Sequence, residues 1–237
     1  MSDVAAKNEA HFEWEPQAGH SAPAAARTYE SRIAEALRII GEEIGHRYKW
    51  ICPRWNDTPG NAKSFRMLDY ACGAGSMTRA LLPYVTEVIG IDVSQNMVAE
   101  YNKNIAAAGF PAEKMFAEKG NLLSETPAQE FSDPKYFNFD LVIIGFALHH
   151  FEAPDFALKR LVERLAPGGI LVVLDFTEHT LKVGNGITTS GFSPDLKQKF
   201  EGAGVGGRFD YLLPDKGVMH GNPPNELRYF MARGERL

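Results

Sequence analysis

MLDYACGAGSMT, residues 67–78, is the stretch on which the reading of this chain turns. It opens as a short apolar run of the kind that forms a buried strand. It then reaches an aspartate, Asp69, and passes almost at once into Ala71, Cys72, Gly73, Ala74 and Gly75. Small residues packed together are poor material for continuing a strand, because they have little side chain to bury. They suit a chain that turns sharply and brings its backbone close to something else.

Outward from that turn, short apolar runs alternate with helical patterns. FRMLDY, EVIGID, KMFAEKG, FDLVIIGF and GILVVLDF predict strands near 66–70, 87–91, 114–118, 139–145 and 169–175. The last two are almost unbroken Val/Ile/Leu, as strands covered on both faces require. Ser94 is a predicted N-cap, with Met97, Tyr101 and Ile105 at i, i+4 and i+8 behind it. Leu158, Leu161, Val162 and Leu165 make a second one-sided stripe, ended by Pro167-Gly168-Gly169. Strands and helices in alternation give right-handed crossovers and a parallel sheet. The tail breaks the alternation: a helix starting at Ser193-Pro194 and carrying Leu196 and Phe200 stops in the Gly202–Gly207 region. FDYLL (209–213) and ELRYFMAR (226–233) then follow with no helix between them. The expected fold is α/β, a doubly wound, seven-stranded, mostly parallel sheet with helices on both faces and an antiparallel C-terminal edge hairpin.

Ahead of this region the first 25 residues are rich in Ala, Pro and Gly and read as a loose arm bearing His11, Phe12 and Trp14. An amphipathic helix follows, with Ile33, Leu37, Ile40 and Ile44 on one face, and then a loop containing Pro53, Pro59 and Gly60. The 237 residues, 44 % hydrophobic and 23 % charged, are enough for one substantial core. A net charge of −5 with scattered Lys and Arg argues against a nucleic-acid partner. No run of about 18 apolar residues is present to span a membrane, and the N-terminus has no apolar stretch of the signal-peptide type. Cys52 and Cys72 are too few for a disulfide framework, and no Cys/His cluster suggests a metal site. A reduced, cytoplasmic protein without a metal, a monomer or homodimer, is the expectation.

In a parallel sheet, ligands bind at the carboxyl ends of the strands. A Gly-rich turn after the first strand points to a nucleotide-type ligand, although GxG alone is weak. Asp92 ends the second strand 19 residues after Gly73, the spacing of an acid that accepts hydrogen bonds from ribose hydroxyls. The turn reads Gly73-x-Gly75-x-x-Thr78, without the third glycine of the dinucleotide fingerprint. Asp69 would repel a pyrophosphate and attract a ligand carrying an ammonium and a sulfonium. Electrostatics therefore favours a cationic adenosyl ligand over NAD. Capping or a surface ion pair is the plainer alternative for both acids.

Residues 64–176, and more loosely 30–237, resemble class I S-adenosylmethionine-dependent methyltransferases of the small-molecule type. The resemblance is carried in order by MLDYACGAG, VIGIDVSQNMV (88–98), FDLVIIGFALHHF (139–151) and LAPGGILVVLDF (165–176). Ala71 stands where the family often has Gly, and Asn121 where it often has Asp. The resemblance implies S-adenosyl-L-methionine as cofactor, with S-adenosyl-L-homocysteine as product. It implies that Asp69 supports the methionyl amine and that Gly73 and Gly75 let the cofactor lie on the backbone. Asp92 takes the ribose, Met97 packs on adenine, and Asn121 and Leu122 lie at its edge. Gly145 and Phe146 face the methionyl group through their backbone, and Tyr29 reaches the cofactor from the N-terminal helix. Met97, at i+4 from Tyr101, also fits plain core. Residues 1–60 then form a substrate cap and 61–237 the cofactor-binding domain.

Methyl transfer from a sulfonium is an in-line displacement in which alignment does most of the work. His149 and His150, after the fourth strand, are the candidate general bases, a histidine being able to take a hydroxyl or thiol proton near neutrality. The other reading is that they order the loop. Trp14, Tyr29, Trp50, Trp55 and residues 177–192, with His179, are expected around the acceptor, the last segment as a lid. The leading expectation is methyl transfer to O, N or S of a small organic acceptor. A protein or RNA methyltransferase, and a non-catalytic cofactor-binding subunit, are the alternatives.

Overall fold

The computed structural model describes the backbone of residues 22–55, 64–124, 129–177, 180–183, 187–190, 195–220 and 225–237. Within these, the side chains of 22–33, 129–130, 180–183, 187–190, 219–220 and 225 are not described. The arm with Trp14, the side chain of Tyr29, His179 and the Ser193-Pro194 helix start lie outside the described residues. Of the expected lid, the described part includes the backbone of a hairpin, β6 (Thr180–Val183) with β7 (Ile187–Ser190).

Seven strands form the main sheet: β1 (Arg66–Tyr70), β2 (Glu87–Asp92), β3 (Met115–Lys119), β4 (Phe139–Gly145), β5 (Leu165–Phe176), β8 (Gly207–Leu212) and β11 (Tyr229–Glu235). Their order across the sheet is β3-β2-β1-β4-β5-β11-β8. β1 runs parallel to both β2 and β4, while β11 lies antiparallel between β5 and β8. The doubly wound sheet with its antiparallel edge is as expected.

Three boundaries differ from expectation, each for a local reason. The helix Pro154–Val162 ends before Leu165, which already pairs with Phe139 in the sheet. Pro167, Gly168 and Gly169 lie within β5, where the register jumps from Phe139↔Leu165 to Leu141↔Ile170. Proline has no N–H for the ladder, and the surplus residues are taken up as an irregularity. ELRYFMAR divides, Leu227 ending β10 (Asn225–Leu227), which pairs with β9 (Val218–His220), while Tyr229 starts β11.

The alternation along the central strands explains why helices must cover both faces. Met67, Leu141, Ile143, Val172 and Leu174 enter one core, and Leu68, Val142, Ile144, Leu171 and Val173 the other. The first core is closed by α1 (Ala22–His46), whose Ile40 and Ile44 are 3 % and 0 % exposed. α2 (Tyr48–Ile51), α3 (Ser76–Leu81) and α4 (Gln95–Ala107) add Ile51, Leu81 and Tyr101 to it. The second core is covered by α5 (Pro154–Val162) and α6 (Leu196–Ala203) through Leu158, Leu161 and Phe200. Ser94 caps α4 as expected, its side chain accepting from the Met97 N–H.

Two glycine substitutions are expected to have opposite signs. A Cβ on Gly234, in β11, would press into the Val205 carbonyl and meet Phe200 Cδ1 at 2.8 Å. Gly234→Ala should destabilise by about 1–3 kcal/mol, as overpacking does. Gly202, in α6, has nothing within 4 Å of the same position, and Gly202→Ala should stabilise by about 0.5–1 kcal/mol through helix propensity. Urea midpoints of the two variants test this, and a midpoint unchanged by Gly234→Ala would contradict the packing described.

Candidate functional site

From β1 the chain winds one way, to β2 and β3, and from β4 it winds the other way, to β5. The strand order therefore reverses between β1 and β4, and a crevice opens at their carboxyl ends. Both strands leave the sheet through left-handed backbone. Ala71, Gly73 and Gly75 have φ of 55°, 51° and 91° after β1, and Phe146 has φ of 55° after β4. Non-glycine residues in this region are strained by about 1–2 kcal/mol, so the surrounding contacts must hold Ala71 and Phe146 there.

The glycines in these turns serve different ends. A Cβ on Gly75 would lie 2.9 Å from the ring of Tyr101, so this glycine lets α4 close on the turn. A Cβ on Gly145 would lie 2.8 Å from Met77 Cγ and Sδ. Around Gly73 nothing lies within 4 Å of that position, so backbone is presented to open space, as a cradle for a ligand requires.

Asp92, 8 % exposed, ties the turn to the end of β2. Its Oδ2 accepts from the Gly73 N–H at 2.8 Å and its Oδ1 from the Ser94 N–H at 2.9 Å. Burial raises its pKa, and the N–H groups of Ser94, Gly73 and Val93 offset part of that rise. Each carboxylate oxygen has a second acceptor direction, so hydroxyls of a ligand can still be bound.

Asp69 is more unusual. It is 0 % exposed, and its Oδ2 accepts from Thr78 Oγ1 at 2.7 Å, with Thr78 in turn 3.0 Å from Tyr101 Oη. Its Oδ1 is buried and has no hydrogen-bond partner among the described residues. Burial pushes its pKa up to about 7; Thr78 opposes the rise and the Asp92 charge adds to it. A carboxylate left this way is complementary to a cation that the fold itself does not supply.

Asn121 Oδ1 accepts from the Leu123 N–H at 2.8 Å and from Tyr70 Oη at 3.2 Å, so its amide nitrogen is the end left to donate. Met97 packs with Ala74 in a two-residue cluster outside the two main cores, beside the turn rather than with Tyr101. The Leu122 side chain is fully buried in the second core. The structure thus brings Asp69, Gly73, Gly75, Asp92, Met97 and Asn121 to one edge of the sheet, with Gly145 and Phe146 across the switch point.

His149 and His150 lie in the 3₁₀ turn that follows, their ring centroids 4.0 Å apart. They differ sharply. His149 Nδ1 is 2.6 Å from Asp175 Oδ1, and the His149 backbone N–H donates to Asp175 Oδ2 at 2.9 Å. Asp175, near the end of β5, is 0 % exposed, and its Oδ1 also accepts from the Phe176 N–H. A carboxylate only accepts, so it holds His149 as the Nδ1–H tautomer, with Nε2 as the lone-pair nitrogen.

Asp175, Thr78 and Tyr101 escaped the sequence reading. Asp175 carried the same signal as Asp69, an acid ending an apolar strand. Thr78 and Tyr101 carried none beyond their place on helices. Among the described residues, no group of three or more His, Cys, Asp or Glu side chains is placed to hold a metal ion. Nor is any described helix long and apolar enough to cross a membrane.

Comparison with known proteins agrees with this geometry. Residues 68–171 match the family model of a methyltransferase domain. An uncharacterized methyltransferase of Schizosaccharomyces pombe is 35 % identical over 111 residues, covering 46 % of this chain and 38 % of the relative. A demethylmenaquinone methyltransferase of Staphylococcus aureus is 37 % identical over 129 residues, covering 52 % and 48 %. The chain thus spans less than half the length of these curated relatives. In fold it resembles the magnesium protoporphyrin IX methyltransferase of Synechocystis, solved with bound S-adenosylhomocysteine. That likeness has a TM-score of 0.61 at 14 % identity, over 99 % of this chain and 95 % of the other.

The buried Asp69 carboxyl makes a testable contribution to stability. Folded, it keeps its proton up to about pH 7; unfolded, it loses it near the ordinary carboxylate value of about 4. The folded state binds the extra proton across that window, so stability falls as pH rises from about 4 to about 7 and levels off above. Asp69→Asn should therefore be more stable than the parent at about pH 8, with the difference shrinking towards pH 5. Chemical denaturation at both pH values measures it, and a pH-independent difference would contradict the burial argument.

Proposed function

We propose, on the match of residues 68–171 to the family model of a methyltransferase domain, that the chain uses S-adenosylmethionine to methylate O, N or S of a small organic molecule. The observation that carries the cofactor assignment is the orphaned Oδ1 of Asp69 beside a turn whose backbone is exposed at Gly73. A cation there, such as a methionyl ammonium or the water it binds, supplies the missing partner. Asp92 takes the ribose hydroxyls, Met97 with Ala74 supports adenine, and the amide nitrogen of Asn121 donates at its edge. Leu122 adds backbone there, and Gly145 and Phe146 do so beside the methionyl group. A dinucleotide fits less well, because its pyrophosphate would meet the Asp69 carboxylate.

The bound cofactor supplies an electrophilic methyl group. The chain's contribution is alignment, which by proximity and orientation is worth about 7–11 kcal/mol, together with removal of a proton where the acceptor carries one. His149 suits that task better than His150, because Asp175 holds its tautomer and leaves Nε2 to accept. The small organic acceptors in the names of the Staphylococcus and Synechocystis proteins support the same class here.

Titration calorimetry should show S-adenosylhomocysteine binding and NAD not binding. The affinity should rise with pH through about 7 as Asp69 ionises; binding of NAD alone would end this reading. Methyl-labelled cofactor incubated with metabolite extracts identifies the acceptor. Against that acceptor, His149→Ala should lower turnover by about 10²–10⁴-fold and flatten its pH profile. His150→Ala should change both far less, and equal effects would leave the pair a loop-ordering role only.

A further inference from the structure

Beyond the cofactor half of the crevice, the carboxyl edge continues across β5 to the start of β11, where an aromatic wall stands. The ring of Phe146 lies 4.9 Å from that of Phe176 and 5.7 Å from that of Tyr229, centroid to centroid. His149 lies 5.6 Å from Phe176 on the same edge. Tyr229 and Phe176 are directly opposite in the antiparallel register, so their side chains share one face of the sheet. The strained backbone of Phe146 is what keeps its ring at this junction, its N–H donating to the Leu174 carbonyl at 2.7 Å.

One polar atom in this wall is unexplained by the fold. Tyr229 is 1 % exposed, and its hydroxyl is buried without a hydrogen-bond partner among the described residues. Leaving such a donor unpaired costs about 1–3 kcal/mol. Burial, with Glu43 of α1 adding and Arg47 opposing, pushes the phenol up to about 12, so it stays a donor at neutral pH. The edge therefore offers three things in a row: apolar rings, a buried donor, and an imidazole whose tautomer is held for accepting a proton.

Resting on the methyltransferase reading above, we propose that Phe146, Phe176, Tyr229 and His149 form the acceptor subsite, and that the acceptor is an aromatic ring bearing an ionisable hydroxyl and a second oxygen. The ring lies on the aromatic wall. The Tyr229 hydroxyl donates to the second oxygen. His149 Nε2 takes the proton of the reacting hydroxyl, forming an imidazolium stabilised by Asp175. The freed oxygen pair then forms the bond to the methyl carbon while the methyl–sulfur bond breaks and its electrons remain on sulfur. Asp175 is a positioning residue in this scheme, and Tyr229 sets specificity.

The probe is 4-nitrocatechol, whose visible spectrum reports its own ionisation, added to the full chain saturated with S-adenosylhomocysteine. Binding should bring out the ionised band below the pH at which the free compound ionises. Tyr229→Phe should weaken binding about tenfold, the effect of losing one hydrogen bond. His149→Asn should keep binding and lose the ionised band. Independently of any variant, ¹⁵N spectra of the unaltered protein should show His149 protonated at Nδ1 and not at Nε2. Failure of the loaded protein to bind 4-nitrocatechol, equal binding by Tyr229→Phe, an ionised band surviving in His149→Asn, or an Nε2–H tautomer would each overturn this inference. Loss of S-adenosylhomocysteine binding itself would overturn the underlying reading instead.

Discussion

A carboxylate with no exposed surface, one of its oxygens without a partner among the described residues, sits one residue before the end of β1, and much of the surrounding structure is arranged about it. Asp69 sits at the switch point, flanked by Gly90 of β2 and Ile143 of β4 in register. Thr78 donates to its other oxygen, and Tyr101, from a second helix, meets the Thr78 hydroxyl in turn. That network pins α3 and α4 to the end of β1, and Gly75 is the residue small enough to let Tyr101 approach. Burial pushes its pKa up to about 7, so the charged form carries a penalty that a bound cation would reduce.

The same device appears twice more along the carboxyl edge. Asp92 ends β2 and holds the backbone of the turn, while Asp175 comes near the end of β5 and holds an imidazole. The three acids lie on separate strands and are each almost or entirely buried. They differ in what satisfies them: backbone N–H groups for Asp92, a histidine and two N–H groups for Asp175, and a single hydroxyl for Asp69. Of the three, only Asp69 keeps a buried oxygen without a partner among the described residues. In the same way the buried hydroxyl of Tyr229 has no hydrogen-bond partner among the described residues. Buried polar groups that the fold leaves unpaired are costly enough to require a reason.

Much of this was legible in the one-dimensional pattern, and the portions that were not share a cause. Asp69, Gly73 and Gly75 are neighbours in the chain, and their chemistry is local: a strand, an acid, a turn of small residues. Asp92 was found by spacing, and His149 by its place after an apolar strand. Asp175 lies 26 residues from His149, and Tyr229 pairs with Phe176 across a connection of more than fifty residues. Nothing local in either stretch says what it faces. Pro167-Gly168-Gly169 misled for the opposite reason: it is a strong local stop signal that the sheet absorbs as a register shift.

The sequence by itself determined the order of strands and helices, the reversal of winding that makes a crevice, and the presence of an acid and a glycine turn at its mouth. These follow from apolar periodicity and from backbone conformations open to only a few residue types. Tertiary structure alone decided which carboxylate is left incomplete, which of two adjacent histidines has its tautomer held, and which rings assemble into a wall. Those are properties of partners brought together by packing, and a side chain's charge state and donor or acceptor role depend on its neighbours in space rather than along the chain.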